Sequence, residues 1–168
     1  MFFGVVCVVV LSLLLFTLLR GAPYVPVHKR DVSSIFSLLN ISPGGTMVDI
    51  GSGDGVVLKA ASQRGIKAIG IEINPLLVLW SRLRLRMFKN SQVIWKDMFR
   101  WQIPSEAEAV FVFAGGPFVK KIEAWLQDQV QELGRPLKVV SYGFDFKNHT
   151  IVSKDGAALL YVFEPVKP

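Results

Sequence analysis

Asp49-Ile50-Gly51-Ser52-Gly53-Asp54-Gly55 follows directly on the β-prone run Thr46-Met47-Val48 and precedes an amphipathic segment over about residues 55–64. A strand that passes through glycines into a helix is the opening unit of an alternating α/β sheet. The same alternation continues outward. Lys67 to Ile71 predicts a second strand, and Pro75 to about Phe88 a helix with proline at its first turn. Gln92 to Lys96 predicts the third strand, and the unusually apolar Ala109 to Phe113 a fourth at the centre of the sheet. A long helix from Pro117 to about Leu133 closes on Gly134, and Leu137 to Tyr142 is the fifth strand. Ile151–Ser153 and Ala158–Phe163, joined through Lys154-Asp155-Gly156, predict a terminal hairpin that adds an antiparallel strand. Upstream, Val32 to Asn40 predicts a helix capped by Asp31. The fold class is α/β, a Rossmann-like, mostly parallel sheet with a C-terminal antiparallel hairpin.

In an open α/β sheet, ligands bind beyond the carboxyl ends of the strands. At the first such end, Gly51, Gly53 and Gly55 permit backbone angles and a ligand approach that a Cβ would block. A dinucleotide-binding loop spaces its glycines by two and then three. Here the spacing is two and two, and the acid Asp54 sits between the last pair. An acid is unfavourable beside a pyrophosphate and favourable beside a positive amine, so the loop points to S-adenosylmethionine. Glu72, with Ile73 after it, ends the second strand about 20 residues past the loop, where an acid accepts from ribose hydroxyls. Asp97 ends the third strand and can accept from an adenine amine, with Met98 or Phe99 packing on the ring. The cofactor set is therefore Asp49, Gly51, Ser52, Gly53, Asp54, Gly55, Glu72, Ile73, Asp97 and Met98. The competing reading makes each acid a helix cap.

DIGSGDGVVLKAA (residues 49–61), AIGIEINPLLVLWSRLR (68–84) and VIWKDMF (93–99) resemble the glycine-loop, acidic-strand and adenine-site motifs of class I S-adenosylmethionine-dependent methyltransferases. PYVPV at 23–27, taken with IEINPLLVLWSRLR, resembles a narrower family of small membrane-anchored lysine methyltransferases. Its mitochondrial members modify the c-subunit of ATP synthase and the adenine nucleotide translocase, and it has bacterial relatives. The resemblance covers about residues 20–163 and implies that Asp49, Gly51, Gly53, Glu72 and Asp97 bind cofactor. Two departures bear on the substrate. Val27 stands where the family usually has threonine, and FAGGPF at 113–118 differs from the tyrosine-bearing versions.

A lysine amine must be neutral to attack a methyl group, which a dry pocket favours. Tyr24, Phe113 and Phe118 are the candidates for that substrate pocket. The alternatives are an interfacial ring for Tyr24 and a plain strand-to-helix turn at Gly115-Gly116-Pro117.

Residues 1–19 contain no charged side chain, and a helix over them would rise about 28 Å, close to a bilayer's hydrocarbon thickness. No basic residue precedes the run, and Arg20, Lys29 and Arg30 follow it. The expectation is a single-pass transmembrane anchor over 1–20, a stiff Pro-rich linker over 21–31 and a methyltransferase domain over 32–168, facing the cytoplasm or mitochondrial matrix. A cleaved signal peptide is the competing reading. The lone Cys7 excludes an intrachain disulfide, and with only His28 and His149 besides, no metal site is expected.

The net charge of +6 fits anionic headgroups or an acidic partner. Arg82, Arg84, Arg86 and Lys89 read as a solvated face, with headgroup contact as the functional alternative. The expected partner is a membrane-embedded or membrane-proximal protein methylated on lysine. Methylation of a lipid or small apolar molecule, and a non-catalytic scaffold, are the alternatives. Nucleic acid is disfavoured, because Gly115-Gly116-Pro117-Phe118 lacks the amide or acid that would hold a base amine.

Overall fold

The computed structural model describes residues 27–113 and 118–166. The expected anchor over 1–20, Tyr24 with most of the linker, and Gly115-Gly116-Pro117 lie outside the described residues. Among the described residues no helix is long and apolar enough to cross a membrane.

Seven strands form one sheet in the order β3-β2-β1-β4-β5-β7-β6. The first five are β1 (Thr46–Ile50), β2 (Lys67–Glu72), β3 (Ser91–Trp95), β4 (Ala107–Val112) and β5 (Leu137–Tyr142), and all pair in parallel. The terminal hairpin supplies β6 (Ser153–Asp155) and β7 (Ala158–Phe163), with β7 antiparallel to β5. This is a Rossmann-like, mostly parallel sheet with β4 at its centre, as its apolar composition predicts. Four helices cover it: α1 (Val32–Leu39), α2 (Val56–Gln63), α3 (Pro75–Leu85) and α4 (Val119–Leu133).

Alternation along the strands sends side chains to two cores. Met47, Ala109, Phe111 and Val140 join the helices α1, α2 and α3 on one face. Val48, Ile50, Val110, Val112 and Val139 join α4 on the other. Phe111 is fully buried, and truncating it to alanine would cost about 3–5 kcal/mol.

The boundaries depart from expectation in instructive places. α3 stops at Leu85, short of Phe88, because Arg86 and Phe88 donate to carbonyls three residues back and tighten the chain into turns. β6 lies two residues later than predicted, since the tight turn sits at Gly156, with φ +60°, and leaves Ile151 and Val152 exposed. Asp31 does not cap α1. Its carboxylate instead accepts from the Tyr142 hydroxyl at the end of β5, at 2.5 Å. Asn74 does cap α3, accepting from Leu76 N–H at 2.9 Å with Pro75 at the first turn.

Candidate active site

The strand order reverses between β2 and β4 on either side of β1, so the loop after β1 emerges at the switch point where such sheets bind ligands. Gly51, Gly53 and Gly55 all take left-handed φ, at +73°, +54° and +77°. Two of them answer different demands. A Cβ on Gly55 would overlap the Ser81 hydroxyl of α3, so this glycine permits close helix packing. A Cβ on Gly51 would meet no atom within 4 Å among the described residues. Among the described residues nothing fills the space before Gly51, as a cradle for a ligand requires.

The loop is tied to the end of β2. Gly51 and Ser52 donate their N–H groups to the Ile71 carbonyl at 2.9 and 3.1 Å. Gly53 N–H donates to Glu72 Oε2 at 2.9 Å, and Asn74 N–H to Oε1 at 2.7 Å. Each carboxylate oxygen keeps a lone pair for a further donor. Glu72 is thus fixed in orientation at the place expected for a ribose acceptor.

Asp49 is buried, and no basic side chain pairs with it among the described residues. Burial, then the neighbouring charges of Glu72 and Asp54, push its carboxyl up to about 8. A site built this way gains from a ligand that brings positive charge. S-adenosylmethionine, with its ammonium and sulfonium, fits the acids and the open space before Gly51. Among the described residues no group of three or more His, Cys, Asp or Glu side chains is placed to hold a metal ion.

Other expected members fall differently. Asp54 pairs with Arg84 of α3 at 2.7 Å and also accepts from Val56 N–H. Its charge is committed to the protein, and Arg84 belongs to this bridge, not to a solvated face. Ser52 turns its hydroxyl inward over Gly70, where it is buried without a partner among the described residues. Asp97 caps the short 3-10 turn Met98–Arg100 by accepting from Phe99 N–H at 3.0 Å, which still leaves its second oxygen for another donor. Met98 and Ile73 are both half-buried, and the Ile73 carbonyl accepts from Trp95 Nε1 at 3.0 Å.

The two described aromatic candidates part company. Phe113 packs in the first core, edge-on to Tyr142 with centroids 4.9 Å apart. Phe118 packs in the second core, across the sheet. Tyr142 is the residue that sequence reasoning missed. It sits at the end of β5 beside Phe113, and its hydroxyl, raised by burial and by the bond to Asp31, stays protonated. Only its place at the C-terminal end of a strand could have signalled it.

The chain is similar to known methyltransferases. It is 33% identical over 135 residues to the ATP synthase c-subunit lysine N-methyltransferase of Xenopus laevis, covering 75% of this chain and 55% of that protein. It is 36% identical over 111 residues to the adenine nucleotide translocase lysine N-methyltransferase of Mus musculus, covering 64% and 48%. The chain thus spans about half the length of these relatives. Among solved structures, an RNA methyltransferase from Salinibacter ruber in complex with S-adenosyl-L-homocysteine superposes with a TM-score of 0.73 at 26% identity, covering 86% of this chain and 97% of that one. The ANTKMT methyltransferase domain family matches residues 49–153, from the glycine-loop acid to the start of β6, and the chain belongs to that family.

Proposed function

We propose that the protein transfers a methyl group from S-adenosylmethionine to a lysine of a membrane-embedded or membrane-proximal protein. The observation that carries the cofactor is the buried Asp49, uncompensated by any cation among the described residues, beside a Glu72 fixed by two backbone N–H groups. The lysine acceptor is supported by the named relatives, which are lysine N-methyltransferases. When bound, S-adenosylmethionine supplies an electrophilic methyl on a sulfonium. The chain's own part is positional. Asp49 would hold the ammonium end, Glu72 the ribose hydroxyls, and Asp97 the adenine amine, with Ile73 and Met98 against the ring. Phe113 and Tyr142, packed together at the ends of β4 and β5, would wall the acceptor side and keep it dry. In this reading residues 1–20 anchor the chain in a membrane, with the domain on the cytoplasmic or matrix side.

The likeness to an RNA methyltransferase favours one second reading, nucleic-acid methylation. The sequence after β4 argues against it, because no amide or acid stands at Gly115-Gly116-Pro117-Phe118 to grip a base amine.

Calorimetric titration of the full chain in detergent with S-adenosylmethionine tests the cofactor, with Asp49→Asn and Glu72→Gln expected to weaken binding by an order of magnitude or more. Incubation with membrane fractions or total RNA and labelled cofactor then tests the acceptor. Label on protein lysine supports the proposal. Absence of binding by the folded chain, or label on RNA alone, overturns it.

A further inference from the structure

The helix α3 buries Val78, Ser81 and Leu85 and turns a second apolar face outward. Four of its apolar residues are exposed, Leu76, Leu79, Trp80 and Leu83, at 42, 59, 58 and 54% exposure, and Met87 just beyond it reaches 79%. Ser81, by contrast, is fully buried. At 3.6 residues per turn the four on the helix fall within an arc of about 100°. On the neighbouring edge strand β3, Trp95 adds a ring at 62% exposure. Isolated exposed apolar residues need no explanation, but a contiguous stripe marks a binding surface.

The charge around the stripe identifies what it binds. From residue 73 to residue 96 the chain carries Arg82, Arg84, Arg86, Lys89 and Lys96 and no acid. Arg82 and Arg86 flank the stripe on one side, and Arg84 lies on the other, reaching Asp54. Lys59 of α2 adds another cation beside Phe88 at 5.9 Å. An apolar helical face with a tryptophan on it, a second beside it and a basic border matches the composition of an interfacial helix, which lies in the plane of an anionic bilayer with its apolar face among the acyl chains. At 11 residues α3 is far too short to span one.

We infer that α3 and Trp95 dock the domain flat on an anionic lipid surface. Val27, the first described residue, packs against the same core as the buried face of α3, so the described chain begins on the sheet face that α3 covers. Because Glu72 lies just ahead of the α3 N-terminus, docking brings the cofactor site to the headgroup layer and restricts substrates to lysines presented there.

The test places an environment-sensitive NBD probe on Leu79→Cys in the full chain, with Cys7→Ser removing the native thiol. A control probe sits at the exposed Lys120→Cys of α4. Both are exposed positions where substitution leaves the fold intact, and retained S-adenosylmethionine binding checks the site separately. In vesicles of phosphatidylcholine with phosphatidylglycerol, the probe at 79 is expected to brighten several-fold and to be quenched by nitroxide-labelled acyl chains, while the probe at 120 does neither. Arg86→Glu with Lys89→Glu is expected to remove most of the response. Three outcomes overturn the inference: no response at 79, equal quenching at 79 and 120, or brightening that acyl-chain nitroxides do not quench. The last would mean that the N-terminal segment or a second copy of the chain covers the stripe.

Discussion

Asp49 stands in a position that the ligand-free fold does not favour. An acid whose carboxyl is pushed up to about 8 keeps a proton that the unfolded chain releases near its ordinary value of 3.8. The sign follows from linkage: folding is most favoured below the unfolded value and loses stability as pH rises through the folded one. Ligand-free protein is therefore expected to melt at progressively lower temperature between about pH 4 and 8. Asp49→Asn should flatten that dependence and melt several degrees above wild type at pH 8. Thermal denaturation of both proteins across this range checks it, and parallel curves would show that the carboxyl ionises freely. The same residue makes a second prediction. A bound ammonium would draw the Asp49 carboxyl down again, so binding should release a proton and tighten as pH rises from 6 toward 8. Calorimetry in buffers of different ionisation enthalpy measures that proton directly.

At the scale of elements, the glycine loop and α3 are one device. Gly55 lets Ser81 approach, and Arg84 reaches back to Asp54, so the loop is clamped to the helix at two points. Gly51 makes no such contact among the described residues. The two glycines should therefore fail differently. Gly55→Ala combines a left-handed φ with overlap on Ser81, and is expected to lower unfolding stability by about 1–3 kcal/mol. Gly51→Ala should cost only about 1 kcal/mol yet weaken S-adenosylmethionine binding by an order of magnitude or more. Urea denaturation and calorimetry on both variants separate the roles. The loop and the acids at the strand ends were legible in the sequence, because glycine spacing and acids after apolar runs are local signals. The orientation of α3 was not. Its pattern shows an apolar face, and helices ordinarily turn such a face to the core. Here close packing at Gly55 needs a small side chain, so the Ser81 face, with Val78 and Leu85, turns inward and leaves Leu79, Trp80 and Leu83 outward. The Tyr142–Asp31 bond, between residues 111 positions apart, has no sequence signal at all.

Over the whole molecule, the two faces of the sheet are covered unequally. Three helices lie on the face with α1, whereas α4 is the only described helix on the other. The connection from β5 to β6 contains no helix among the described residues, and its aromatic side chains fill the gap. Phe146 meets Phe144, Tyr161 and Phe163, each edge-on with centroids 5.1–5.4 Å apart. An irregular segment over a core needs partners for its backbone. Glu123, buried on α4, provides them, accepting from Asn148 N–H at 2.9 Å, Asn148 Nδ2 at 3.1 Å and His149 Nδ1 at 3.0 Å. His149 also reaches Gln127 at 3.3 Å and stacks on Phe163 at 3.8 Å. Removing Glu123 leaves those donors buried without an acceptor, so Glu123→Ala is expected to lower unfolding stability by about 3 kcal/mol. Cofactor affinity should not change, because Glu123 belongs to the face opposite α2 and α3, between which the glycine loop is held. Denaturation and calorimetry on one preparation test both halves of the prediction. A large loss of affinity with intact stability would mean that the β5–β6 connection communicates with the site.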